Sequence, residues 1–311
     1  MSRNTNIEPL LFPVELKPVY IKERSYNKLS NFSAVTANVD GMDKIYSVVS
    51  GGYTLVLNKD ALAFGKDVFR KMFPRSGDED FDVFNVMYPS SKSYCHIDMI
   101  NKSYTLNIWD KEVYVPFIRI TNSYNKSRKL RFELGFCRKV CDNGVIFERE
   151  FVRLNFSHYK NEIDNSRKLK IKDLNYDKLQ SAEQSFINYM KNLKNIKIEG
   201  KYFIPVTSEI LGLKFNKENY SERYSKIIDK QKEEFQSIME RLKVKYTAEL
   251  GETAYSLFNT VTAFANERDF VKDVRNNDYQ IKAGQWVKKI VRLNDEKLIT
   301  GYLDDCVKNL N

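Results

Sequence analysis

The chain has 311 residues, and its 51 Lys+Arg against 41 Asp+Glu give a formal net charge of +10. An apolar share of 42% excludes wholesale disorder, and the absence of any apolar run near ~18 residues excludes a membrane span. At about 150 residues per domain, this length suits one large domain or two closely packed ones.

Met1 to Asn6 is followed by no hydrophobic signal region, and four cysteines are too few for a disulfide scaffold. Both features point to a reducing cytoplasm.

Residues 1–40 read as an extended N-terminal arm, because Pro9, Pro13 and Pro18 interrupt Leu10, Leu11, Phe12, Val14 and Leu16. Residues 41–165 read as a β-rich domain. Lys44 to Val49 and Tyr53 to Leu57 around Ser50-Gly51-Gly52 predict a hairpin. Asn58-Lys59-Asp60 offers an N-cap to a helix ended by Pro74. Strands follow at Tyr94 to Ile100, Tyr104 to Trp109 and Val113 to Ile120, with Pro116 marking an edge or a bulge. A last hairpin, Arg131 to Cys141 with Val145 to Arg153, closes on Asp142-Asn143-Gly144.

Residues 166–311 change to a 3.6-residue period. The stripes are Leu179, Ala182, Phe186, Tyr189, Met190 and Leu193; then Tyr220, Tyr224, Ile228, Phe235, Ile238, Met239, Leu242 and Tyr246; then Ala254, Leu257, Phe258, Val261, Phe264 and Ala265. A final helical segment runs from Ile281 towards Asn311. An antiparallel β-meander followed by helices predicts an α+β fold.

No catalytic motif stands out. Cys137 and Cys141 invite a metal reading with His158, but four residues of strand span about 13 Å, too far for two ligands of one zinc. No metal site and no cofactor are therefore expected. Cys95 and Cys306 read as packing residues. His96 lies within a strand and His158 at a strand end, neither beside a nucleophile motif. Ser50-Gly51-Gly52 opens no helix, so it lacks the context of a phosphate loop.

Cationic clusters are the remaining signal. Lys126, Arg128, Lys129 and Arg131 fall within six residues beside Tyr124. Arg138 and Lys139 follow on the same strand, Arg149 and Arg153 on its partner, and Arg167, Lys168, Lys170 and Lys172 after them. Lys191, Lys194 and Lys197 recur at near-helical spacing. Phe147, Phe151 and Phe156 interleave. Cations that follow phosphates, with rings that stack on bases, are what a single-strand binding groove needs.

Several short segments resemble a known family. They are Gly51-Gly52-Tyr53 with its following helix, Asn122-Ser123 after Thr121, and Arg138-Lys139-Val140-Cys141-Asp142-Asn143-Gly144. His158 and the run Tyr255 to Thr262 complete the set. Together they are similar to the phage/plasmid-like proteins of domain of unknown function 932, over roughly residues 44 to 270. The glycine usual after the Asn-Ser segment is replaced by Asn125-Lys126-Ser127. The resemblance implies a phage or mobile-element origin and a bacterial host cytoplasm. It supplies no reaction.

The resulting expectation is a non-enzymatic protein that binds nucleic acid, single-stranded DNA first, and anneals it as a homo-oligomer. A second expectation is an effector contacting a host protein through the mixed-charge helix of Glu218 to Glu249. A third is an enzyme using Asn122, Arg138, Cys141 and His158 as one polar site.

Overall fold

The computed structural model describes residues 5–22, 26–110, 112–139, 144–147, 153–159, 175–215, 222–267 and 273–310. Antiparallel sheets fill the N-terminal half and helices the C-terminal half, so the fold is α+β. The chain divides into two compact units. One comprises residues 1–105, 115–135 and 149–182, and the other residues 106–114, 136–148 and 183–311.

The first unit opens with a three-stranded antiparallel sheet in the order β1 (Val14–Lys22), β2 (Tyr26–Val39), β3 (Met42–Ser50). Asp40-Gly41 turns β2 into β3 with both residues at positive φ, 54° and 79°, the backbone that this short hairpin demands. Strand β3 is therefore claimed by β2, and the hairpin expected across Gly51-Gly52 does not form. Tyr53 keeps a single bridge to Tyr159 instead. Pro18 is tolerated because β1 is an edge strand whose register shifts between Pro18 and Val19. Val14, Val35, Ala37, Val39, Val49 and Tyr124 form the core beneath this sheet.

Helix α1 (Asn58–Met72) follows, with Leu57 rather than Asn58 in the N-cap position. Its Phe64 meets Phe132 at 4.6 Å and Phe156 at 5.1 Å. A Cβ on Gly65 would collide with Ile120, so only glycine allows this close seat on the sheet. That larger sheet has the spatial order β10 (Arg153–Phe156), β8 (Leu130–Arg138), β7 (Glu112–Ser123), β5 (Tyr94–Asn101), β4 (Phe81–Met87).

Two expectations are corrected here. Pro116 lies within a central strand, because pairing with β5 ends at Phe117 and pairing with β6 (Leu106–Trp109) begins only at Tyr114. No β5 or β6 partner therefore needs an N–H at that position. The strand expected over Val145 to Arg153 is two strands, β9 (Gly144–Ile146) and β10, both paired with β8. The turn at Asp142-Asn143 lies outside the described residues.

The second unit is mainly helical: α2 (Tyr176–Asn195, entering from the first unit), α3 (Phe203–Leu211), α4 (Glu222–Leu250), α5 (Ala254–Phe264), α6 (Asp273–Leu293) and α7 (Glu296–Leu310). The segment expected as one last helix is two, joined at Asn294 with φ 43°. In α4 Phe235, Met239, Leu242 and Tyr246 of the stripe are buried and Ile238 is half-buried, whereas Tyr224 is exposed. Helix α5 is buried on every side, not along one stripe. Its polar residues turn inward on its own backbone: Asn259 donates to the Tyr255 carbonyl, Thr260 to Ser256 and Thr262 to Phe258, at 2.9–3.0 Å. Thr253 and Ser256 cap its start reciprocally. Among the described residues, no helix is long and apolar enough to cross a membrane.

Candidate functional site

Alternation along the larger sheet of the first unit separates two faces. Phe132 and Phe156 face α1. The other face is polar. On it Asp98 pairs with Arg119, His96 with Thr121, Glu133 with Arg153 and Arg131 with Asn155 across neighbouring strands.

Arg119 and Asp98 form a buried bidentate ion pair with two contacts of 2.6 Å. Arg131 donates through Nε to Asn155 Oδ1 at 2.9 Å. The buried Glu133 carboxylate lies 3.6 Å from Arg131 and 3.3 Å from Arg153. Arg128 sits over the Tyr94 ring at 5.4 Å. His96 is buried, with Nδ1 2.8 Å from Thr121 Oγ1. Burial, reinforced by the charges of Arg119, Arg128 and Arg131, holds its pKa well below the ordinary imidazole range. Three guanidinium groups thus act on one point of this face.

The β7–β8 turn extends the cationic face. Ser123 Oγ donates to the Arg128 carbonyl at 2.7 Å and accepts the Arg128 N–H at 3.2 Å, closing the turn on itself. Asn125 Oδ1 accepts the Ser127 N–H, and Lys126 takes a left-handed backbone with φ 62°. This clasp leaves Lys126 and Lys129 exposed and Arg128 half-buried.

The expected site residues sort clearly. Lys126, Arg128, Lys129, Arg131 and Arg153 come together on this face and its turn. Tyr124 is withdrawn as a stacking residue: it is buried against Phe12 and Tyr46, and its hydroxyl accepts the Asn58 N–H at 3.0 Å. Phe147 and Phe156 are buried too.

Arg138 is corrected as a surface cation. In the second unit it is buried, donating to Glu112 at 2.7 Å and Glu249 at 2.6 Å. Tyr255 also donates to Glu112 at 2.8 Å. Burial pushes the Glu112 carboxyl up, but the bonds from Arg138 and Tyr255 outweigh it and hold the group below its usual value. Lys139, exposed, and Lys191, Lys194 and Lys197 belong to that unit, with Lys194 over Trp109 at 4.7 Å. Arg149, Arg167, Lys168, Lys170, Lys172, Phe151, Cys141 and Asn143 lie outside the described residues.

The remaining motif residues of the first unit clip the connection Tyr53–Asn58 in place. Asn122 Nδ2 donates to the Val56 carbonyl and to Asn58 Oδ1, both at 2.9 Å. His158 Nδ1 lies 3.3 Å from the Thr54 carbonyl, and because a carbonyl only accepts, Nδ1 carries the proton. Burial lowers the His158 pKa, which favours the neutral ring, against the opposing bond to the Thr54 carbonyl. These bonds satisfy carbonyls in a stretch that lacks a strand ladder. Gly144 is buried in β9. Cys137 is buried in β8, and among the described residues no group of three His, Cys, Asp or Glu could hold a metal.

Sequence reasoning missed Tyr94, His96 and Arg119. Their signal was available: Tyr94-x-His96-x-Asp98 and Arg119-x-Thr121 alternate polar residues with apolar ones inside strands, the signature of a two-faced sheet.

No curated protein and no solved structure matches the chain. The sequence does match, over residues 45–286, the family described as Domain of unknown function (DUF932). That span covers more than half of the 311 residues and takes in both units, including the polar sheet face and its turn, and the chain therefore belongs to this family.

Proposed function

We propose that the protein binds nucleic acid, single strands in preference, through the β7–β8 turn and the half-buried Arg131 and Arg153 of the β8–β10 pair beside it, and that it acts without catalysis. One observation carries this reading. Lys126, Arg128, Lys129, Arg131 and Arg153 gather on one turn and one strand pair, with Glu133 as the counter-charge between the last two. A polyanion with evenly spaced charges meets such a row one phosphate at a time. Annealing of DNA strands by a homo-oligomer, in the cytoplasm of a bacterium hosting a phage or mobile element, is the setting that this reading fits.

Titration of a labelled single-stranded oligonucleotide at two salt concentrations is the test. Micromolar or tighter binding that weakens steeply with salt is expected, and absence of binding at low salt refutes the proposal.

A second reading has one observation behind it. Tyr224 and Ile227 lie exposed near the start of α4, as a helix meeting another protein would present them. A host-lysate partner retained after nuclease treatment, and lost in Tyr224→Ser with Ile227→Ser, would favour this effector role.

A further inference from the structure

With Tyr124, Phe147 and Phe156 buried, the interface needs its aromatic component elsewhere in the first unit. Two rings flank one turn there, Phe32 at 46% exposed and Tyr159 at 54%. Phe32 stands opposite Ser50 in the β2–β3 ladder, and the Gly51 N–H donates to the Asn31 carbonyl at 2.9 Å. On the far side, Tyr159 bridges to Tyr53, and a Cβ on Gly52 would lie 3.8 Å from the Tyr159 ring. Phe32, the turn Ser50–Tyr53 and Tyr159 are thus a continuous strip.

The glycines of this turn answer no internal need. Neither has positive φ, and an added Cβ would meet nothing nearer than 3.8 Å, which is ordinary contact. Both are exposed, and alanine would cost the chain less entropy at either position. A bare backbone that the fold does not require is explained by something approaching it from outside. The cationic row supplies the chemistry of that partner. Tyr159 lies four residues beyond Asn155, the partner of Arg131, so the Tyr159 and Asn155 Cα atoms are at most about 14 Å apart.

We infer that Gly51-Gly52 is the floor of a base-binding slot, in which an unstacked nucleobase lies against the glycine backbone with its face on Tyr159. Phe32 forms the opposite wall, and the strand's phosphates continue towards Arg131 and Arg153. The inference rests on the nucleic-acid reading above and deepens it: the ligand is a single strand, because a duplex keeps its base faces covered.

The test uses the full chain, a labelled oligothymidylate and a duplex of equal length. Gly52→Leu and Tyr159→Ala should each weaken single-strand binding roughly 5- to 150-fold, the range of one lost base stack. Tyr159→Phe should retain binding. The thermal midpoint of Gly52→Leu and any duplex binding should match the wild type, which separates a lost slot from a damaged fold. Wild-type single-strand affinity in both Gly52→Leu and Tyr159→Ala overturns the slot while leaving the cationic face intact. Failure of the wild type itself to bind at low salt overturns both.

Discussion

The cationic turn can be stripped without disturbing what holds it. Arg131 and Arg153 are poor targets, because removing either weakens the compensation of the buried Glu133 carboxylate. Lys126, Arg128 and Lys129 are better. The Ser123 clasp engages only the backbone of Arg128, and asparagine suits the left-handed backbone at Lys126. In the triple variant Lys126→Asn, Arg128→Gln, Lys129→Gln, stability should stay within ~1 kcal/mol of the wild type.

The magnitude follows from charge counting. Five cations that each meet one phosphate give a single-strand slope of about −3.5 in log affinity against log salt, and two give about −1.4. Between ~50 and ~200 mM salt the wild type should then lose roughly 100-fold in affinity and the variant only about 7-fold. Fluorescence anisotropy across that range reads the slope directly. An unchanged slope in the triple variant, or an equal fall on replacing Lys191, Lys194 and Lys197, would refute the assignment of the phosphate track to this turn.

Further outcomes are expected. Glu133→Gln removes the carboxylate that Arg131 and Arg153 share, so it should tighten single-strand binding while leaving the salt slope near the wild-type value, because both cations are already among the five, seen in the same titration. Tyr124→Phe leaves the buried Asn58 N–H without its acceptor and should cost about 1–3 kcal/mol in urea unfolding while leaving affinity unchanged; a binding defect at wild-type stability would restore Tyr124 to the interface. Burial lowers the pKa of His96 well below, and that of His158 below, the ordinary ~6.5 of the unfolded chain. The unfolded chain gains protons first as pH falls. The stability they contribute is therefore full above about pH 6.5 and declines below it, by up to about 1.4 kcal/mol per pH unit for each ring. Denaturation midpoints that stay flat from pH 7.5 to 5.5 would contradict this.

Periodicity and turn chemistry were enough to read much of this protein without its fold. Polar turn segments between apolar runs placed β5, β7 and β8, and the 3.6-residue stripes placed α2, the later turns of α4, and α5, because those signals arise from neighbours a few residues apart. The cluster from Lys126 to Arg131 was legible for the same reason, since a single turn carries it.

Pairing was not legible. Whether β3 pairs with β2 or with the stretch after Gly52 is decided by packing between residues distant in sequence, and both Asp40-Gly41 and Gly51-Gly52 offer a turn for it. Nor does a charge in sequence say where its field ends. Arg128 and Arg138 look alike in the chain, yet one lies half-buried over Tyr94 and the other is neutralised between Glu112 and Glu249, the second 111 residues away. Burial of charge is settled by which distant carboxylates the fold brings within ~3 Å, and only the tertiary structure can decide that.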